Sequence, residues 1–240
     1  MVQEEWVYNH GVRLHYLDSG PQVSSDQVSI FFVPGALASA EVYLTEMTSL
    51  APRRCIAVTL RGRGKSDAPR SGYSFEDQVS DIEAVIGELG LNRFCLMAYS
   101  LGVPYAIGYA ARHPHSFAGL IIGDYPARYP ALTPAWAEKA LSATPTRVAP
   151  HVIRGLQQES VEISLWNTLN RIQCPVMIIC GGQSDSLLTT QQTQMYREHL
   201  SNAEILTFEE SGHELWIPNY DRFIGAIKQF LERIDSESKS

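Results

Sequence analysis

The chain has 240 residues, enough for one domain with a full hydrophobic core or for a core domain carrying a small insertion. Hydrophobic residues make up 45% and charged residues 19%, ordinary values for a globular protein in water. The formal net charge of −7 argues against a nucleic-acid partner, since phosphate binding needs a dense basic patch; the cluster Arg61, Arg63, Lys65 and Arg70 lies in a Gly-rich loop and reads as solvated.

No stretch approaches the ~20 uninterrupted apolar residues of a membrane span. The opening MVQEEWVYNH carries acids where a secretory leader needs basic residues followed by an apolar run. Cys55, Cys95, Cys174 and Cys180 fall in apolar, strand-like runs without the spacing of metal ligands, so buried free thiols and a cytoplasmic location are expected, with no metal.

In chain order, Trp6–Gly20 reads as a hairpin turning near His10-Gly11. Short apolar runs then alternate with helical patterns: strand Val28–Val33 and helix Glu41–Leu50, strand Arg54–Leu60 and helix Phe75–Leu89. Strand Arg93–Ala98, helix Leu101–His113 and strand Phe117–Gly123 follow. The alternation breaks over Asp124–Arg171, rich in Pro, Tyr and Trp, with short helices at Pro134–Leu141 and Pro150–Gln158. It resumes with strand Cys174–Gly181, helix Thr189–Leu200, strand Ala203–Phe208 and helix Tyr220–Ile234, and the ending DSESKS reads as disordered.

Strands apolar throughout and alternating with helices imply an α/β protein with a mostly parallel sheet covered on both faces. Residues 1–123 and 172–240 are expected to form the core, with 124–171 as a lid above the carboxyl edge of the sheet, where such folds bind ligands. The lid's Tyr125, Tyr129, Trp136, Leu141, Ile153, Leu156, Leu165 and Trp166 suggest an apolar substrate group.

In AYSLG, Ala98–Gly102, a strand runs directly into a helix with Ser100 at the bend. Such a bend brings strand and helix close together, so the residues two before and two after the serine must be small. Pro104 falls in the first helical turn, where its missing N–H has no intrahelical partner to lose. Downstream, EESGHELW puts His213 in a loop after the last strand, and CGGQSDSLL puts Asp185 on a turn after the strand before it. The order Ser100, Asp185, His213 suits a nucleophile, an orienting acid and a base. Asp124, ending the strand before the insertion at the same edge, is the alternative acid. An oxyanion site needs two N–H donors, which Leu101 and Ala36, in the loop Pro34–Ser39, are placed to supply.

With these residues, the chain resembles the α/β-hydrolase fold superfamily, in particular its small members with a short lid. LRGRGKSDAP (Leu60–Pro69) looks like the family's R-G-x-G-x-S-D-x-P loop, and Asn202–Phe223 resembles its last strand, catalytic histidine and terminal helix. The chain departs from the pattern at Pro34, where a His is usual, at Thr59, where an Asp is frequent, and at Ala98, where the bend usually has Gly. The resemblance implies a serine esterase-like hydrolase that needs no cofactor and acts on an ester, thioester or related acyl bond of a small molecule. Cleavage of a C–C bond, lactone or amide, or a non-catalytic ligand-binding role, are the alternatives on the same scaffold.

Overall fold

The computed structural model describes residues 2–21, 27–143 and 148–237. Strands β1 (Gln3–Asn9) and β2 (Val12–Asp18) form the expected hairpin, and His10 and Gly11 both take positive φ, 48° and 82°, as a two-residue turn between twisted strands requires. β3 (Ser29–Val33), β4 (Cys55–Val58), β5 (Phe94–Tyr99), β6 (Gly119–Gly123), β9 (Val176–Gly181) and β10 (Ala203–Phe208) complete an eight-stranded sheet in the order β1-β2-β4-β3-β5-β6-β9-β10. Its pairings are antiparallel from β1 to β4 and parallel from β4 to β10. The strand order reverses beside β3, so the carboxyl ends of β3 and β5 diverge and leave a crevice between the loops that follow them.

Side chains alternate strictly between the two faces. Phe31, Val33, Phe94, Leu96, Ala98, Leu120 and Ile122 join one core with α2 (Phe75–Glu88), α3 (Gly102–Arg112) and α6 (Thr190–His199). Ile30, Phe32, Cys95, Met97, Ile121, Met177 and Ile179 join the other, with α1 (Leu44–Ser49) and α7 (Tyr220–Glu237). This is the period of a strand buried on both sides, and it explains the continuous apolar runs of the sequence.

Segment 124–171 contains α4 (Pro134–Ser142), α5 (Pro150–Glu159) and a two-stranded ladder of β7 (Arg128–Tyr129) with β8 (Ile163–Ser164), which hydropathy patterning does not reveal. Both helices begin with Pro, where no intrahelical N–H is lost. The segment packs down onto the α2–α3 core: Tyr129, Val152, Ile153, Leu156 and Leu169 are all fully buried in it.

Two sequence expectations are corrected. The basic loop is solvated only in part: Lys65 and Arg70 are exposed, whereas Arg61 is 4% exposed and Arg63 1%. Arg61 makes a forked ion pair with the fully buried Asp81 and a second contact with Asp77, which is what permits its burial. The C-terminal DSESKS is not wholly without structure, because α7 continues to Glu237 and Asp235 receives two hydrogen bonds from Arg53, at 2.6 and 3.3 Å. Residues 238–240 of that stretch lie outside the described residues. Among the described residues no helix is long and apolar enough to cross a membrane.

Arg53 is 7% exposed and also donates to the carbonyl of Val28, so it joins the start of β3 to the last helix. Asp235→Ala would strand a nearly buried guanidinium, and a loss of about 2–3 kcal/mol is expected in urea unfolding. An unchanged midpoint would show the pair to be incidental.

Candidate active site

Ser100 follows β5 directly and has φ 54°, a left-handed conformation that a serine holds only when its surroundings enforce it. Its N–H donates to the carbonyl of Gly123 at 3.0 Å, and its carbonyl accepts from Val103 N–H at 2.9 Å. The bend depends on Gly102: a Cβ there would lie 2.5 Å from the carbonyl oxygen of Pro34 and 2.8 Å from that of Val33. Ala98, by contrast, tucks its methyl into the α2–α3 core with no exposure, so the missing first glycine does no harm.

Nε2 of His213 lies 3.0 Å from Ser100 Oγ, and its Nδ1 lies 2.7 Å from Asp124 Oδ2. The structure therefore brings Ser100 and His213 together as expected, and corrects the acid: the carboxylate on His213 belongs to Asp124, not Asp185. The reason is the sheet order. β6 adjoins β5, so the residue just past β6 stands beside the serine bend, whereas Asp185 lies four residues past β9 on an exposed turn. Asp185 rests against Gly212, where a Cβ would collide with its carboxylate, and makes no hydrogen bond to His213.

Asp124 is fully buried. Burial by itself would raise its pKa, but hydrogen bonds from His213, from Ser186 Oγ (2.5 Å) and from the N–H groups of Leu187 (2.9 Å) and Gly181 (3.3 Å) outweigh it and hold the carboxyl below its ordinary value. The turn chosen from the sequence as the source of the acid thus supplies two of the donors that hold it. An ionised Asp124 can only accept, so Nδ1 of His213 carries the proton and the Nε2 lone pair faces the serine.

Tyr99 is a residue that sequence reasoning missed. Its ring stacks on the imidazole, with centroids 4.8 Å apart at 23°, while its hydroxyl donates to the carbonyl of His213 at 2.8 Å. Its place next to Ser100 in AYSLG is the one signal available. Gly35 brings the loop after β3 against the serine: a Cβ on it would lie 3.1 Å from Ser100 Cβ. Nε of the buried Arg63 donates to the Ala36 carbonyl at 2.9 Å and fixes the orientation of that loop. Among the described residues neither Ala36 N–H nor Leu101 N–H donates a hydrogen bond, which leaves both free for a ligand.

A cavity of about 610 Å³ opens on Ser100 and His213. Its walls come from the loop after β3, from α1, and from the segment Glu214–Phe223. None of the eight aromatic and aliphatic residues of segment 124–171 expected to surround the substrate lines it. Most of them are buried in the core beneath the segment, where the folding of the insertion itself requires them.

Residues 30–226 match the model of the family described as "Alpha/beta hydrolase family". The chain belongs to that family. The AB hydrolase superfamily protein YisY of Bacillus subtilis is similar to it, at 24% identity over 84% of this chain and 90% of that protein. The N-formylmaleamate deformylase of Pseudomonas putida is 22% identical over 93% of this chain and 94% of that one. Among solved structures, an esterase from Exiguobacterium antarcticum superposes with a TM-score of 0.82 at 19% identity, covering 96% of this chain and all of that one, which speaks for the fold.

Adding one methyl at Gly102 forces two backbone carbonyls apart, and Gly102→Ala is expected to cost about 2–3 kcal/mol in urea unfolding. Gly87→Ala, in the open on α2, is expected to stabilise by up to ~1 kcal/mol. Equal effects at the two positions would contradict the close approach described for the bend.

Proposed function

We propose that this member of the hydrolase family is a serine hydrolase that cleaves an ester, thioester or related acyl bond of a small molecule through Ser100, His213 and Asp124. The observation that carries the reading is the continuous line from the buried carboxylate through the imidazole to the serine hydroxyl, with a cavity at its far end. In this reading Ser100 Oγ attacks the carbonyl carbon while His213 Nε2 takes the hydroxyl proton. Asp124 holds the tautomer and stabilises the imidazolium. The tetrahedral oxyanion accepts from Ala36 N–H and Leu101 N–H, the second at the start of α3, where the helix dipole favours negative charge. Its collapse breaks the bond to the leaving alcohol or thiol, which receives the proton from His213. A water then gives a proton to His213, attacks the acyl-serine, and releases the acid and the free hydroxyl.

The cavity is mostly apolar and suits a small molecule rather than a polymer. Removal of a formyl group, as the name of the deformylase states for that relative, and hydrolysis of an amide, lactone or C–C bond would use the same groups and are separated by a substrate panel. The four cysteines are unpaired and three are buried, which supports a reducing, cytoplasmic setting.

A fluorophosphonate probe is expected to label wild type at Ser100, read by peptide mapping, and to leave Ser100→Ala unlabelled. With 4-nitrophenyl esters, Asp124→Asn is expected to lower kcat by ~10³-fold or more, because the amide would favour the wrong tautomer of His213. Asp185→Asn should stay within about threefold, as expected of an exposed residue without contact to the imidazole. No label on folded wild type together with no ester turnover would favour the ligand-binding alternative, and the reverse ranking of the two Asp variants would return the acid role to Asp185.

A further inference from the structure

Glu46, on α1, lines the cavity that Ser100 opens into and is only 7% exposed. Its Oε2 is fully buried and has no hydrogen-bond partner among the described residues. The polar neighbours that would be expected to satisfy it are engaged elsewhere. The Tyr43 hydroxyl donates to the Val33 carbonyl at 3.1 Å, and the Tyr220 hydroxyl pairs with Ser49 Oγ at 3.0 Å. Burial pushes the carboxyl of Glu46 above its ordinary pKa, against a smaller opposing effect of its own backbone N–H. A carboxyl buried this way costs stability, and among the described residues no ion pair of Glu46 offsets the cost.

The rest of the wall gives the sign of the missing partner. Trp216, Tyr220 and Phe223 supply aromatic faces, Glu214 adds a second carboxylate, and no Lys or Arg side chain is among the lining residues. An anionic group entering here would meet two acids and no counter-charge. A hydroxyl would find an acceptor, and an ammonium would find a carboxylate and aromatic faces together.

We propose that Glu46 is a specificity-determining residue that reads a hydrogen-bond donor, a hydroxyl or an ammonium, on the substrate, and that the cavity rejects substrates carrying a carboxylate in its place. The inference rests on the hydrolase reading and deepens it by naming the substrate class: small acyl compounds, neutral or cationic, with a donor distant from the scissile carbonyl.

The test uses 4-nitrophenyl esters of trans-4-substituted cyclohexanecarboxylic acids bearing methyl, hydroxymethyl, aminomethyl or carboxylate, compared by kcat/KM in wild type, Glu46→Gln and Glu46→Leu. The same choice is read without catalysis by titrating cyclohexylmethanol, cyclohexylmethylamine and cyclohexanecarboxylate against the fluorescence of Trp216, isolated as the difference from Trp216→Phe. In wild type the donor-bearing compounds are expected to exceed the carboxylate by about tenfold or more in both readouts. Glu46→Leu should bring the ratio of hydroxymethyl or aminomethyl to methyl towards one. Glu46→Gln, which keeps an acceptor but no charge, should retain the hydroxymethyl preference and lose the aminomethyl one. A preference for hydroxymethyl alone in wild type would identify a neutral donor, and a preference for aminomethyl alone a cation.

Thermal unfolding separates recognition from a structural role, since removing an unpartnered buried carboxyl should leave Tm unchanged or raised in Glu46→Leu. A Tm several degrees lower, an equal loss on all four esters, or a wild-type preference for the carboxylate would each overturn the proposal. Ligand discrimination by Trp216 without fluorophosphonate labelling of Ser100 would overturn the hydrolase reading and keep the role of Glu46. Labelling without discrimination would do the opposite.

Discussion

The site depends on how closely the start of α3 can approach the end of β3. Gly102 stands against the carbonyls of Val33 and Pro34 with no space for a side chain, and this contact brings the two loops of the crevice within reach of each other. From it follow the left-handed Ser100 and the placement of Gly35 against its side chain. A looser bend would leave the same residues in the same order without a common focus. The strain at Ser100 is opposed by two backbone hydrogen bonds, one of them to Gly123, the residue just before Asp124. Ser100 and Asp124 are thereby joined through a single pair of neighbouring strands, β5 and β6.

Around that bend, the polar groups form two linked systems. Asp124 accepts four hydrogen bonds, and the short one from Nδ1 of His213 fixes the orientation of the imidazole. Arg63, within the loop anchored by Arg61 and Asp81, holds the Ala36 carbonyl and so the plane of the loop opposite the serine. Burial makes both arrangements rigid, because a charge in a low-dielectric interior gives up its hydrogen bonds only at high cost.

The order of strands and helices was legible in the sequence because buried strands and amphipathic helices have distinct periods, and the structure returns each of those elements within a few residues. Ser100 and His213 were legible because each lies on a short connection after a strand. Which carboxylate meets His213 was not, because Asp124 and Asp185 both follow strands at the same edge, and only the sheet order, a long-range property, decides between them. The burial of Arg61 and Arg63 was hidden for a related reason: their partners lie in a helix that begins more than ten residues later. The lining expected of segment 124–171 was misjudged because apolar residues that line a cavity and apolar residues that seat an insertion look alike in composition. Glu46 gave no signal at all, since an acid in a helix pattern reads as a solvent-facing residue until the neighbours on both sides are known.

The two faces of the sheet divide the labour of the molecule. Segment 124–171 caps the face shared with α2 and α3, while the walls of the cavity belong mainly to α1, α7 and the loops of the other face. Glu159, at the end of α5, accepts hydrogen bonds from the N–H groups of Gly72 and Tyr73 and fastens the cap at its far side. Divergence among descendants of such a chain can therefore proceed on separate tracks. Substitutions in the cap would tune the robustness of the scaffold, and substitutions along Val42–Glu46 and Glu214–Phe223 would redirect substrate choice, with little crosstalk between the two. A protein partitioned in this way can acquire a new preference without first rebuilding its support.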